Sequence, residues 1–257
     1  DVAAAVAEIG RVTKRGGLRG LEVANTVDMT PLYEPEWEPL WQAVDDCGLA
    51  LHFHTSGGEK PVTKGLEPLQ ARQAHAVYIT GFQMGMSKLF MEIIYGGVLE
   101  AHPSLRLVIA ESGIGWIPYF LDRVDYVFKH HHQWTNQDFG GKLPSDVFRE
   151  HIITCFIDDP VGVKLREQVG IDTITWECDY PHSDTTWPEA PEILARSLDG
   201  VSDEDINKMT HENAIREFRL DSFSHRTREQ CTVAALRAEA GDVDLSLKSH
   251  GGKAPVA

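Results

Sequence analysis

Four side chains capable of acid/base or metal-binding chemistry stand at the ends of four apolar runs: His54, Glu111, Asp158 and Asp179. Each run stays apolar until its last residues and then presents one of these groups. The most distinctive stretch is Trp176-Glu-Cys-Asp-Tyr-Pro-His-Ser-Asp184, entered from the β-type run Thr173-Ile-Thr-Trp-Glu177. Strand residues alternate faces, so Glu177 and Asp179 are predicted to point the same way, with Pro181 ending the strand. Taken alone, that exit reads equally as a carboxylate capping a turn. Carboxylate and imidazole together suit zinc, manganese or a similar divalent ion, which would polarise a substrate oxygen or activate a water. His52 and His54 form an H-x-H on one strand face, but His52 lies roughly 6–7 Å deeper along the strand. His54 is therefore the expected metal ligand and His52 a support residue in the interior. Glu111 reads as a ligand, a general base or an acceptor for a ligand histidine, with a cap for the helix opening at Trp116 as the plainer alternative. Asp158 reads as a site carboxylate or the cap of its following turn. His182 reads as a substrate contact or a loop cap.

These groups can act together only if the elements carrying them converge. Five β-type runs, at 18–24, 49–54, 105–111, 152–158 and 173–179, alternate with helical patterns. That alternation is the signature of βαβ units and a parallel sheet. In a (β/α) barrel the carboxyl ends of such strands meet at one mouth. The first helix spans 1–15, with Asp1 as N-cap and Gly16-Gly17 as its stop. A second, 36–47, sets Trp37, Leu40, Trp41 and Val44 on one face and ends at Gly48. Residues 66–101 read as helical, interrupted near Gly81–Gly85 and at Gly96-Gly97. Further helices are expected from Trp116 to His131, from a cap at Ser145, over 161–169 and 191–198, and from Ser202 to Phe218, where Ser202 and Asp205 form an N-terminal box. Met84, Met86, Phe90 and Met91 read as helical core packing, with a pocket wall as the alternative. The His130-His131-His132 tract reads as a solvated helix end, with a metal tract as the alternative. No G-x-G-x-x-G follows a strand and there is no Walker loop, which removes support for the nucleotide-binding α/β folds. The expected organisation is a barrel-type domain over 1–220 and a polar tail over 221–257, disordered from about 240.

The chain has 257 residues, 42% hydrophobic and 25% charged, with a formal net charge of −15. An acid excess of that size disfavours nucleic acid and anionic membrane as partners, both of which need clustered Lys and Arg. No apolar stretch reaches 18 residues and no signal peptide is recognisable. Cys47, Cys155, Cys178 and Cys231 form no C-x-x-C pair, so a thiolate zinc site is not expected. Buried, reduced thiols in a cytoplasmic protein are. The sequence begins at Asp1, directly in a helical pattern, and reads as the middle of a longer protein.

Four blocks carry a likeness: Leu51-His-Phe-His-Thr-Ser-Gly57, Pro103 to Trp116, Leu143-Pro-Ser-Asp-Val-Phe148 and Trp176 to Pro188. Together they resemble the amidohydrolase-related family, in its branch containing aminocarboxymuconate-semialdehyde decarboxylase and the aromatic-acid decarboxylases. The likeness runs from residue 1 to about 220, and its last block is the most specific. It implies an α/β fold, a TIM-type (β/α)8 barrel with a divalent metal at its mouth, of which the present strands would be the fourth to eighth. The family's ligands are an H-x-H on the first strand, a His on the fifth and an Asp on the eighth. His54 matches the fifth-strand ligand and Asp179 the eighth-strand ligand. The first-strand H-x-H has no match, and the sixth-strand acid/base His is replaced by Glu111. The resemblance thus implies a divalent cofactor, zinc or manganese, and a small-molecule carboxylate substrate; a homodimer is left open. With two of four usual ligands, the chain by itself is expected to bind the ion weakly, and its sheet to have two open edges.

The leading expectation is a metal-dependent non-oxidative decarboxylase of a small organic or aromatic acid, with His54 and Asp179 holding the ion and Glu111 and His182 at the chemistry. The alternatives are a metal-dependent hydrolase of an amide, lactone or ester, and a catalytically silent truncated scaffold. Loss of ion and activity in Asp179→Asn would separate either enzyme from the scaffold.

Overall fold

The computed structural model describes residues 1–24, 26, 29–55, 64–241, 243 and 246. The loop expected between Ser56 and about Gly65, and the expected disorder after residue 240, fall almost wholly outside these residues. Five strands, β1 (Gly20–Val23), β2 (Ala50–His54), β3 (Leu107–Ala110), β4 (Ile152–Phe156) and β5 (Ile174–Trp176), form one sheet in the order β1-β2-β3-β4-β5. Every neighbouring pair is parallel. The α/β alternation expected from the sequence is therefore present. The helices are α1 (Val2–Arg15), α2 (Glu38–Cys47), α3 (Pro68–Tyr95), α4 (Val98–Ala101), α5 (Ile117–Thr135), α6 (Pro144–His151), α7 (Pro160–Lys164), α8 (Arg166–Val169), α9 (Ala190–Ser197), α10 (Asp203–Asn207), α11 (Asn213–Phe218) and α12 (Val233–Glu239).

The two faces of the sheet differ. One face gives Leu51, Phe53, Leu107, Ile109, Ile152, Phe156 and Ile174 to a large core shared with Phe90, Ile93 and Ile94 of α3 and Phe120 and Val124 of α5. Phe90 sits edge-on to both Phe53 and Phe148, at ring-centroid distances of 5.8 and 6.3 Å. The other face carries a small cluster, Ala50, Val108 and Ile153, closed by Phe218 at the end of α11. Strand alternation places His52 and His54 on this second face. His52 lies level with Glu22 and Val108 and stacks on Phe218 at 5.4 Å, so it supports the interior as expected. Gly20 on β1 lies against it; a Cβ there would come within 2.6 Å of the His52 Nε2.

Several local expectations hold. Asp1 caps α1, accepting from the Ala4 N–H at 3.2 Å, and Ser202 accepts from the Asp205 N–H at 3.2 Å. Gly48 closes α2 in the left-handed region with φ 63. Others are corrected. Helix α3 runs unbroken through Gly81 and Gly85. Each mid-helix glycine costs about 1 kcal/mol, which the burial of Met86, Phe90, Ile93 and Ile94 outweighs. The break at Gly96-Gly97 is real, with Gly97 at φ 74. Of the four residues read as core packing, Met86 and Phe90 are buried, whereas Met84 and Met91 are exposed. Ser145 does not cap α6. Leu143 occupies that position and its N–H donates to Asp146 at 3.0 Å, while Ser145 is buried and bonds Asp125. All four cysteines are free, but only Cys155 is buried. The histidine tract lies in the last turns of α5, where His130 and His132 turn Nδ1 to the carbonyls of Tyr126 and Phe128. Beyond residue 220 the chain builds α12, tied to α9 by Arg237 on Glu192 at 2.9 Å. Among the described residues no helix is long and apolar enough to cross a membrane.

Candidate active site

The strands are shorter than the apolar runs, and the difference falls at the site. β3 stops at Ala110 and β5 at Trp176, so Glu111 and Asp179 lie beyond the ladder. Both take the left-handed region, with φ 55 and φ 54. That conformation costs a side-chain-bearing residue about 1–2 kcal/mol, and such strain collects where function requires a particular aim. The turns bring three strand exits together. His54 Nε2 lies 2.8 Å from Glu111 Oε1. The Glu111 carboxyl in turn stands beside that of Asp179, with an oxygen of each within 4.8 Å of the other. Asp179 Oδ2 lies 2.8 Å from His182 Nδ1, and the His182 N–H donates to the Asp179 carbonyl at 2.8 Å. In the row His54–Glu111–Asp179–His182 the two carboxylates are the most enclosed: the side chains are 29%, 16%, 8% and 59% exposed in that order.

Burial, and next the neighbouring Asp179, push the Glu111 carboxyl above the ordinary carboxylate range against the opposing pull of His54. The hydrogen bond to Asp179 raises His182 above the usual imidazole value. Glu111, Asp179 and His182 each offer one ligand atom, and these atoms lie within 4.8 Å of one another. Imidazole nitrogen and carboxylate oxygen are the donors that manganese and zinc accept, so the residues fit a divalent ion.

The four sequence-predicted site residues, His54, Glu111, Asp179 and His182, are thus contiguous. Asp158 is not with them. It is exposed and accepts from the Ser197 hydroxyl on α9 at 2.6 Å. The turn cap is the next residue, Asp159, which accepts from the N–H groups of Gly162, Ile114 and Gly115 at 2.8, 2.8 and 2.7 Å. This ties the loop after Glu111 to the start of α7, and Gly162 permits the approach: a Cβ there would lie 2.3 Å from Ile114. Nor does Glu111 cap α5, whose first position has no side-chain cap. β5 ends at Trp176, before Glu177 and Asp179, so strand alternation does not set their faces. Glu177 is half-buried and accepts from the Glu111 N–H and the Cys155 S–H, both at 2.8 Å.

The sequence model of the amidohydrolase family matches residues 1–220. The chain belongs to the amidohydrolase family. Among curated family relatives is the gamma-resorcylate decarboxylase of Rhodococcus jostii RHA1, 24% identical over 233 residues, covering 84% of this chain and 64% of that protein. Among solved structures, the fold is shared with 5-carboxyvanillate decarboxylase from Sphingomonas paucimobilis, at a TM-score of 0.69, 23% identity, and coverage of 86% of this chain and 64% of the other. It is shared too with dihydroxybenzoic acid decarboxylase from Polaromonas sp. JS666, solved with bound manganese and 2-nitroresorcinol, at a TM-score of 0.64, 18% identity and coverage of 86% and 66%. The chain therefore spans about two thirds of the length of these family members, and its five strands correspond to part of their barrel.

Sequence reasoning missed the residues that surround Glu111. From the sequence Glu177 reads only as a strand residue facing with Asp179, and Cys155 only as a buried, reduced thiol, neither as a contact of Glu111. Gln83, whose amide donates to the Glu111 carbonyl at 3.1 Å, lies 28 residues away on α3 and gave no signal. Burial raises both the Glu177 carboxyl and, strongly, the Cys155 thiol.

Proposed function

We propose that this chain carries the metal-binding and proton-transfer half of a divalent-metal-dependent decarboxylase acting on small aromatic acids. The observation that supports it is the contiguous row His54–Glu111–Asp179–His182 at the strand exits. Asp179 would hold the ion with His54, which stands against Glu111 and outside the group formed by Glu111, Asp179 and His182, and manganese is the leading candidate. The ion supplies Lewis acidity toward the substrate's oxygens. Glu111 touches both proposed ligands and so stands beside any substrate held there. In its protonated form it gives its proton to the ring carbon bearing the carboxylate. The bond from that carbon to the carboxylate then breaks, its electron pair returns to the ring, and carbon dioxide leaves. His182, exposed at the outer end of the row, would meet the substrate's anionic edge. The partner is thus a small carboxylate.

The test supplies the purified protein with manganese and a panel of hydroxybenzoates and measures released carbon dioxide. Release that disappears in Asp179→Asn supports the reading. No release at saturating manganese would overturn it. A new carboxylate formed from an ester, lactone or amide, without carbon dioxide, would show instead that Glu111 serves as base for water and that the chain is a hydrolase.

A further inference from the structure

The Glu111 peptide is held from three sides by groups that the proposed chemistry does not use. Its N–H donates to Glu177 Oε1 at 2.8 Å and, more weakly, to Cys155 Sγ at 3.2 Å. Its carbonyl accepts from the Gln83 amide at 3.1 Å. Cys155 lies underneath, 2.8 Å from Glu177 Oε1 and 3.0 Å from the Ile109 carbonyl on the neighbouring strand. Cys155 is buried, and the thiol is a small group between two acceptors and one donor. The backbone so held is the left-handed turn at φ 55, which an unsupported glutamate would relax. A one-residue relaxation toward extended backbone would continue the strand and turn the next side chain to the other face.

We infer that Glu177 is a positioning residue of the site, with Cys155 orienting its carboxylate, and that together they fix the Glu111 turn that aims its carboxyl at His54 and Asp179. A carboxylate accepting a backbone N–H is a charge-assisted bond, about twice as strong as a neutral one. It is therefore well matched to a turn whose strain is of similar size. The inference deepens the reading of Glu111 as proton carrier and rests on it for its catalytic consequence. The geometric claim itself needs neither metal nor substrate.

The test uses the full chain without metal, following amide hydrogen exchange at Glu111 by nuclear magnetic resonance in wild type, Glu177→Gln, Glu177→Ala and Cys155→Ala. Glu177→Gln keeps an oxygen acceptor and is expected to retain protection at Glu111. Glu177→Ala is expected to speed exchange there by about tenfold or more, with β4 amides unchanged. Cys155→Ala, which leaves the carboxylate but removes its S–H donor, is expected to give a smaller, equally local acceleration. It carries the test if Glu177→Ala does not fold. Unchanged exchange at Glu111 in both alanine variants would overturn the inference, as would an acceleration spread evenly over all strands. Failure of the decarboxylase reading would leave this exchange pattern intact and so is distinguishable from failure of the positioning role. Where carbon dioxide release is measurable, Glu177→Ala should lower kcat with KM little changed, and Glu177→Gln should restore most of it.

Discussion

Asp179 sits between the Glu111 carboxyl, within 4.8 Å, and the His182 imidazole, at 2.8 Å, in a nearly buried position. Asp179→Asn keeps the shape and removes the charge. Its manganese affinity, read from the free-ion signal in electron paramagnetic resonance, is expected to fall at least roughly tenfold. Glu111→Gln should behave differently if Glu111 carries the proton. Affinity should stay within about threefold while the rate of carbon dioxide release drops by roughly 10²–10⁴, the size of a lost general acid. A parallel loss of affinity would make Glu111 a ligand, as its place among the three metal-capable side chains allows. Wild-type binding is expected to be weak, because the proposed ligands His54 and Asp179 are two donors where a tight divalent site takes four or more. A dialysed sample holding one tight ion per chain would contradict that.

The elements around the site are joined by polar contacts whose loss has a calculable cost. Asp159 accepts three backbone N–H groups and so binds the loop after β3 to the start of α7. Asp159→Ala leaves those donors without a partner and should lower stability by about 2 kcal/mol in urea unfolding. Tyr95 at the end of α3 donates to the Val124 carbonyl of α5 at 2.6 Å, and burial moves its ionisation up to about 12. The unfolded chain therefore releases this proton first. Tyr95 stabilises the fold fully below pH 10, and that contribution is lost as the pH rises toward 12. Tyr95→Phe should cost about 1 kcal/mol at neutral pH. The gap from wild type should narrow above pH 10, and a constant gap across the alkaline range would refute the assignment.

At the scale of the molecule, β1 and β5 are each paired on one side only among the described residues. Parallel sheets are stable when both faces and both edges are covered, so these strands are candidates for pairing with other chains. The net charge of −15 opposes such association. Salt screens that repulsion, with a Debye length falling from about 10 Å at 0.1 M to about 3 Å at 1 M. Light scattering should therefore show mass rising with protein concentration, and more steeply at high salt. A strictly monomeric protein under both conditions would show that the edges are protected.

The α/β class, the five strands in order and the placing of His54, Glu111 and Asp179 at or just beyond strand ends were legible from the amino-acid sequence, because apolar runs ending in a polar group report a strand and its exit locally. The same local signal misled at Asp158, whose neighbour Asp159 is the cap, and at Gly81 and Gly85, where the burial of one α3 face overrides glycine's preference. It misled again at Glu177, whose face could not be read once the strand ended at Trp176. Only the tertiary structure decided where each ladder stops, that Glu111 and Asp179 turn through the left-handed region, and that Glu177, Cys155 and Gln83 hold the first of those turns. Those contacts join residues 28 to 66 positions apart in the chain, and periodicity carries no information at such distances.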